Sequence, residues 1–493
     1  MPLQNDPLYQ DLNWRLVLIG CVANLGAMGF GFDNGWWGGA LGLSQFQRKY
    51  GAYDDELGRY AIPAEKTSVG TSTGSAGIII GCIMAPLATS RLGRKKSFLV
   101  ISALMGTGVV LESSAVTSFW QLVVGRILVY AGMGLSSNVT PCISRNALRH
   151  GLEVIQRGFT MPISMLTSLS GAFLALYSFF LSLGVFLSAI AVNLSRSRTD
   201  QWQYLIVIIC QLFVPVGYAT LYPFLPESPR YLIYRGKYKE AEQVLTRLLN
   251  RPETIPQEVQ LLEAQVEEQQ ELHKATSFKD CFKGTNFRRT VIAMGVQILQ
   301  QAQGVSFIQN FIVTFVQQLG FPDPLRTNVM VTGCSFAVHI ITFLTFDKIG
   351  RRRSLFLRAV GLAGMMIGTG AATATGSAGN YSSAVSNSSA ALLILWYMGP
   401  GYWVVADETG TGQLREKTLL LESMGSFVTS VTINFVNPYV QAKLGGAVTS
   451  IYGGFSVVAV LWVFFFVPET KNRSLEELDE IFQAQVRTRN LDK

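Results

Sequence analysis

Apolar residues along this chain of 493 gather into segments of about 20, at roughly 14–32, 66–89, 98–117, 119–142, 158–190, 203–224, 289–317, 327–346, 355–375, 389–407, 418–438 and 448–467. An α-helix rises 1.5 Å per residue, so each segment is long enough to cross the roughly 30 Å hydrocarbon core of a bilayer. The pattern predicts an all-α membrane protein with twelve transmembrane helices. Composition agrees: 49% of residues are hydrophobic and 15% charged, and the mean hydropathy is +0.30. A soluble domain would carry a charged fraction nearer a quarter.

One span is interrupted by polar side chains. From Gln297 to Phe311 the chain reads QILQQAQGVSFIQNF, with Gln297, Gln300, Gln301 and Gly304 at i, i+3, i+4 and i+7, which a regular helix places on one face. An amide in hydrocarbon is costly without a partner, and the partner is either a neighbouring helix or a bound polar ligand. The spacing alone leaves both open.

Charge changes the picture only by orienting the spans. Arg91, Arg94, Lys95 and Lys96 follow span 2, Arg145, Arg149 and Arg157 follow span 4, and Lys348 with Arg351 to Arg353 follow span 8, all on one side. By the positive-inside rule that side is cytosolic, and both termini join it. The net charge of +8 is accounted for by this asymmetry, so nucleic acid is not expected as a partner. The first fourteen residues lack a basic start and a small-residue cleavage site, so the first span is expected to be retained. The six cysteines show no CxxC or metal spacing, and no disulfide framework, metal or cofactor is expected. His339, within span 8, is read as bridging to a neighbouring helix or as a site residue. Tripeptides at 193–195, 380–382 and 387–389 have the form of glycosylation acceptors.

Two motifs recur. GRKKS at 93–97 returns as GRRRS at 350–354, and PESPR at 226–230 returns as PETKNR at 468–473, each about 250 residues on. A duplicated six-span unit explains both, with the substrate expected between the halves near the bilayer midplane. The predicted organisation is an N-terminal six-helix bundle at 1–225, a cytosolic helical linker at 226–288, a C-terminal six-helix bundle at 289–467 and a cytosolic tail at 468–493. In the linker, Val259, Leu262 and Val266 share one helical face.

These motifs, taken in order, resemble the sugar porter family of the major facilitator superfamily, and within it the fungal α-glucoside (maltose-type) permeases. FGFDNG at 30–35, GRKK, SRTDQWQY at 197–204, PESPR, QILQQAQG, DKIGRRR, GPGYWVVADE at 399–408, LREKT at 414–418 and PETKNRSLEELDEIF carry the likeness along nearly the whole chain. The resemblance implies the major facilitator fold and a secondary carrier. It implies that Gln297, Gln300 and Gln301 bind sugar hydroxyls and that Trp403 covers a sugar face. An amide both donates and accepts, and an aromatic ring suits C–H groups, so the implied roles are chemically apt. Asp33 and Arg126 match the pair that couples sugar to protons in symporting members, the alternative being a static ion pair. Arg94, Asp347, Arg351, Glu408, Arg415 and Glu469 match the charges that clamp the cytoplasmic gate.

The chain departs from the family where ligand contacts are expected. Met165 replaces a glutamine in span 5, Ser306 an asparagine, Asn310 and Phe311 a pair of tyrosines, and Met424 an asparagine in span 11. Fewer hydroxyl-binding groups and more thioether surface favour a less polar or bulkier ligand. In the N-half gate, Ser90 and Arg145 stand where the family has acids, which predicts a carrier biased inward. From Gly171 to Trp202 the chain is about a dozen residues longer than maltose-type relatives. The expected function is secondary active transport of a sugar, an α-glucoside or another polyol, by alternating access with a proton. The expected setting is the lipid bilayer of the plasma membrane, with the carrier a monomer. Alternatives are a carrier of a cyclic organic acid or secondary metabolite, and a non-transporting nutrient sensor. No nucleophile elbow, phosphate loop or metal cluster suggests an enzyme.

Overall fold

The computed structural model describes residues 14–55, 58–115, 118–137, 163–248, 255–321, 323–349, 351–374, 381–397, 414–469 and 482. A described helix falls within each of the twelve expected spans. Span 1 is Trp14–Ala40, and spans 2 and 3 form one 50-residue run, Ala64–Ser113, broken at Gly93. Span 4 is Phe119–Ser137, span 5 Ile163–Ser195, and span 6 the pair Trp202–Cys210 and Phe213–Leu221. In the second half, span 7 runs Gly284–Gln300, then a π turn Gln301–Val305, then Ser306–Gln318. Spans 8 to 12 are Pro324–Ile349, Arg351–Thr373, Ser383–Tyr397, Arg415–Leu444 and Val448–Phe466. The apolar stretch that lengthens span 5 simply continues its helix to Ser195.

Exposed apolar residues recur at helical spacing, as Ile80, Ile83 and Leu87 on span 2 and Val458, Leu461 and Phe465 on span 12. Such stripes suit lipid, because each helix satisfies its own backbone and presents only hydrocarbon. One element departs from the all-α expectation. The strands β1 (Ala52–Asp54) and β2 (Arg59–Ala61) pair antiparallel after span 1, with Tyr53 opposite Tyr60 and their rings edge to face at 5.4 Å. Three-residue strands carry too little alternation to register in the sequence pattern.

The chain forms two compact units. The first comprises Met1–Phe30, Gly77–Leu181 and Cys210–Ala275, and the second Gly31–Ala76, Ser182–Ile209 and Thr276–Lys493. In the first, the interhelical helices Pro229–Tyr234, Tyr238–Leu248 and Ile255–Ala275 share a core of Leu232, Ile233, Ala241, Leu245, Ile255, Leu262 and Val266, with Val259 packed beside it. The expected face of Val259, Leu262 and Val266 is thus the packed one.

In the second unit, the ends of spans 1, 2 and 5 remote from the Gly-Arg turns pack directly on spans 7, 8 and 11. A Cβ on Gly38 would lie 2.9 Å from the Gln309 carbonyl oxygen. Phe186 stacks on Phe336 at 5.8 Å, and Arg196 pairs with Asp323. Ser68 Oγ donates to the Phe435 carbonyl. Partial burial raises the Asp323 pKa, but the Arg196 hydrogen bond and the Arg326 backbone N–H outweigh it, leaving the carboxyl below its ordinary value.

Candidate functional site

The second unit contains the break in span 7. Regular helix ends at Gln300, and the π turn carries Gly304 at φ 99°, a conformation that side chains resist. Space there is short as well, since a Cβ on Gly304 would meet the Tyr452 ring at 3.1 Å and Met366 at 3.3 Å. Glycine at 304 thus permits both the turn and the approach of span 12.

Gln297, Gln300 and Gln301 all precede the break on regular helical backbone, and their side chains diverge within the expected face. Gln301 points toward span 11, where its Nε2 donates to Ser426 Oγ at 3.2 Å. Its Oε1 accepts from Ser306 Oγ at 2.9 Å. Ser306 Oγ also meets Ser430 Oγ at 3.0 Å, and Ser430 Oγ meets Ser75 Oγ of span 2 at 3.0 Å. Asn434 Nδ2 donates to Ser75 at 3.2 Å and to Ser430 at 3.3 Å. A hydroxyl has one proton to give. If Ser306 gives its proton to Gln301, Ser430 must donate to Ser306 and Ser75 to Ser430. The hydrogen bonds then run one way, from Asn434 through Ser75, Ser430 and Ser306 to Gln301 and Ser426. Asn310 braces the chain from the side, its Nδ2 donating to the Ser306 carbonyl at 3.0 Å and to Asn434 Oδ1 at 3.3 Å. Ser75, Ser306, Asn310, Ser426, Ser430 and Asn434 are all buried.

Gln297 and Gln300 turn elsewhere. With Gln303, Arg358 and Trp462 they line a cavity of about 40 Å³ between spans 7, 9 and 12. Neither polar atom of the Gln300 side chain has a hydrogen-bond partner, nor has Trp462 Nε1, and all three are shielded from solvent. The cavity is ample for a water molecule and too small for a sugar ring.

Asp33 belongs to the second unit, fully buried, and accepts from Trp36 Nε1 at 2.6 Å. Arg126 belongs to the first, also buried, with its guanidinium over the Tyr130 ring at 5.2 Å. His339 bonds within its own helix, Nδ1 lying 2.8 Å from the Ser335 carbonyl oxygen, so it does not bridge through that nitrogen. Cys82, Cys210, Cys281 and Cys334 are free thiols. Among the described residues no cluster suited to a metal ion occurs.

The repeated Gly-Arg turns are built alike. In the first unit the Glu227 carboxylate accepts from the backbone N–H of Arg94 at 2.8 Å and of Lys95 at 3.1 Å, and Arg94 Nη1 donates to Ser228 Oγ at 3.2 Å. In the second, Glu469 accepts from the Arg352 N–H at 3.2 Å. Each acid of the repeated Pro-Glu motif thus caps the start of a span, meeting its free N–H groups and dipole with negative charge. Trp403, Glu408, Arg145 and the side chains of Met165, Asp347, Arg351 and Arg415 lie outside the described residues.

Ser75, Ser426, Ser430 and Asn434 were absent from the sequence expectation. Ser426, Ser430 and Asn434 stand at i, i+4 and i+8 in span 11, and Ser68, Ser72 and Ser75 at i, i+4 and i+7 in span 2, polar stripes that the same periodicity count reveals.

Twelve spans, a duplicated Gly-Arg turn motif and a polar break in span 7 define an integral membrane carrier of the major facilitator fold. The fold is shared with the xylose transporter XylE from E. coli in its inward-open conformation, at 20% identity and a TM-score of 0.72 over 94% of this chain and 99% of that one. The family profile described as "Sugar (and other) transporter" matches residues 19–482, and the chain belongs to that family of transporters, which are not enzymes. Similar curated proteins include the major facilitator-type transporter ecdD of Aspergillus rugulosus, 26% identical over 95% of this chain and 87% of that protein. Another is the low-affinity glucose transporter HXT3 of Saccharomyces cerevisiae, 25% identical over 95% and 82% respectively.

Proposed function

We propose that the protein carries a sugar or related polyol across the plasma membrane by alternating access, coupled to a proton. The buried hydrogen-bond chain at the break in span 7 carries this reading. Gln301, Ser306 and Asn310 combine donors and acceptors at one place, and a polyol needs both. Gln301 uses one amide hydrogen and one carbonyl lone pair within the chain, which leaves a second donor and a second acceptor for a ligand. Gln297 and Gln300 would take part by a change in their side-chain direction, Trp403 would cover an apolar sugar face, and Met165 would flank it. Asp33 and Arg126, both buried charges in spans, are the proposed proton-coupling pair. Arg94, Asp347, Arg351, Glu408, Arg415 and Glu469 are the proposed cytoplasmic gate, with both termini on that side. The division into bundles at 1–225 and 289–467 about a linker at 226–288 and before a tail at 468–493 belongs to the same proposal.

A glucose- or hexose-sized ligand is favoured over an α-glucoside, because relatives at similar identity are named glucose and hexose transporters. A second reading is a less polar cargo such as a cyclic organic acid. The replacement of longer amides by Ser306 and Met424 favours it, since serine reaches less far and methionine offers no strong hydrogen bond. Uptake by purified protein in vesicles separates the two, using monosaccharides, disaccharides, polyols and cyclic acids with and without an inward proton gradient. Saturable sugar uptake stimulated by acid supports the proposal. Uptake of acids alone overturns it in favour of the second reading, and Asp33→Asn with undiminished acid stimulation removes the coupling role.

A further inference from the structure

Ser75 holds an unusual place in the hydrogen-bond chain. Of its members, Asn434, Ser430, Ser306, Gln301 and Ser426 come from spans 7 and 11, and only Ser75 comes from the first six spans. It sits between an amide donor at 3.2 Å and a hydroxyl at 3.0 Å, accepting from one and giving to the other. A single hydroxyl of a polyol makes the same pair of bonds.

We propose that the Ser75 hydroxyl is a built-in stand-in for a ligand hydroxyl, latching span 2 onto spans 7 and 11 in the empty carrier. The proposal rests on the polyol reading of the site. When span 2 moves away, Ser430 and Asn434 lose this partner in a buried place, and an arriving hydroxyl restores what opening removes. Latch and ligand then exclude each other at one point. A neighbouring contact supports a definite closed position, since Ser68 of the same span donates to the Phe435 carbonyl of span 11. Movement of span 2 therefore withdraws Ser75 from between Asn434 and Ser430, while the bonds from Ser430 through Ser306 to Gln301 stay within spans 7 and 11.

The hydroxyl itself is the tested feature, which Ser75→Ala removes and Ser75→Thr keeps. If the empty carrier is held closed by the latch, its loss raises the fraction open to the ligand and lowers the KM for uptake from that side about five- to tenfold. Ser75→Thr should keep the wild-type KM, and kcat should change less than KM in both. A KM unchanged by Ser75→Ala, or shifted alike by the two variants, overturns the proposal.

A second arm needs no knowledge of the cargo. In Ser75→Cys/Ser430→Cys an oxidant should join the two positions, so that the halves stay together after a protease cut engineered at 249–254. Glucose at saturating concentration should slow the joining at least fivefold. Failure to cross-link, or a cross-link formed equally fast with glucose in a protein that transports glucose, defeats the latch. If wild-type protein transports no polyol, the functional reading fails on its own, and cross-linking in the transported ligand's presence still decides the latch.

Discussion

Gly93 gives the sharpest test of how the Gly-Arg turn is built. It sits at φ 83° and ψ 174°, a region open almost only to glycine, and a Cβ there would lie 2.6 Å from Glu227 Oε2 and 2.8 Å from the Tyr231 ring. Gly93→Ala therefore adds two costs. Holding alanine in that region takes about 1–3 kcal/mol, and pushing aside the carboxylate that caps Arg94 and Lys95 adds about 1–2 kcal/mol by weakening charge-assisted bonds. The control is Gly236, which also has positive φ, at 72°, but where a Cβ would meet nothing within 4 Å. Gly236→Ala carries the backbone cost alone, about 1 kcal/mol. The assay is thermal unfolding of detergent-purified protein followed by loss of the monodisperse peak. Gly93→Ala should lower the midpoint by more than twice the shift of Gly236→Ala, and Glu227→Gln should fall between them. Equal shifts for the two alanine variants would refute the claim that Glu227 packs over the turn.

Other consequences can be measured in the same way. Gln300→Met should raise thermal stability, by about 1–3 kcal/mol if both amide atoms are unpartnered in the empty protein; a drop would mean that a bound water or ligand holds them. Phe482→Ala should destabilise by about 3 kcal/mol, because Phe482 is buried against Ile292, Val463 and Val467 with the Arg289 guanidinium 4.4 Å above its ring; an unchanged unfolding midpoint would show that this contact contributes nothing. The pairing of Asp323 with Arg196 lowers the carboxyl's pKa on folding, so its stabilisation is complete above the unfolded value of 3.8 and lost as pH falls through the lower folded value. The gap in unfolding midpoint between wild type and Arg196→Gln should thus be present at pH 7 and close in strong acid, and a gap independent of pH would assign it to packing. Both side chains are partly exposed, at 41% and 35%, so the gap should be small and shrink with salt.

Much of the fold was legible because lipid imposes a simple rule. A segment that must satisfy its own backbone in hydrocarbon is a helix, and its length is read directly from the run of apolar residues. The recurrence of GRKKS and PESPR likewise pointed to a duplication, and the capping of Arg94 by Glu227 and of Arg352 by Glu469 gives the physical reason both motifs return together. The candidate site was less legible, for a local reason. The periodicity that placed Gln297, Gln300 and Gln301 on one face holds through Gln301, but that face spans about 100° of the helix and meets two neighbours, so Gln301 bonds Ser426 of span 11 while Gln300 lines the cavity beside Trp462.

The serines were harder still to read. A serine in an apolar helix can be satisfied by the carbonyl four residues back, as Ser72 is by Ser68 at 2.7 Å, and only the neighbouring helices decide whether it does more. Here the shortness of Ser306 is what gives Ser430 and Ser75 their role. A longer amide at 306 would reach further by itself, whereas a hydroxyl near Gln301 extends across the packed spans only by relay, through Ser430 on span 11 and then Ser75 on span 2. The hydroxyl of Ser306 is therefore what links the polar break in span 7 to Ser75 of span 2.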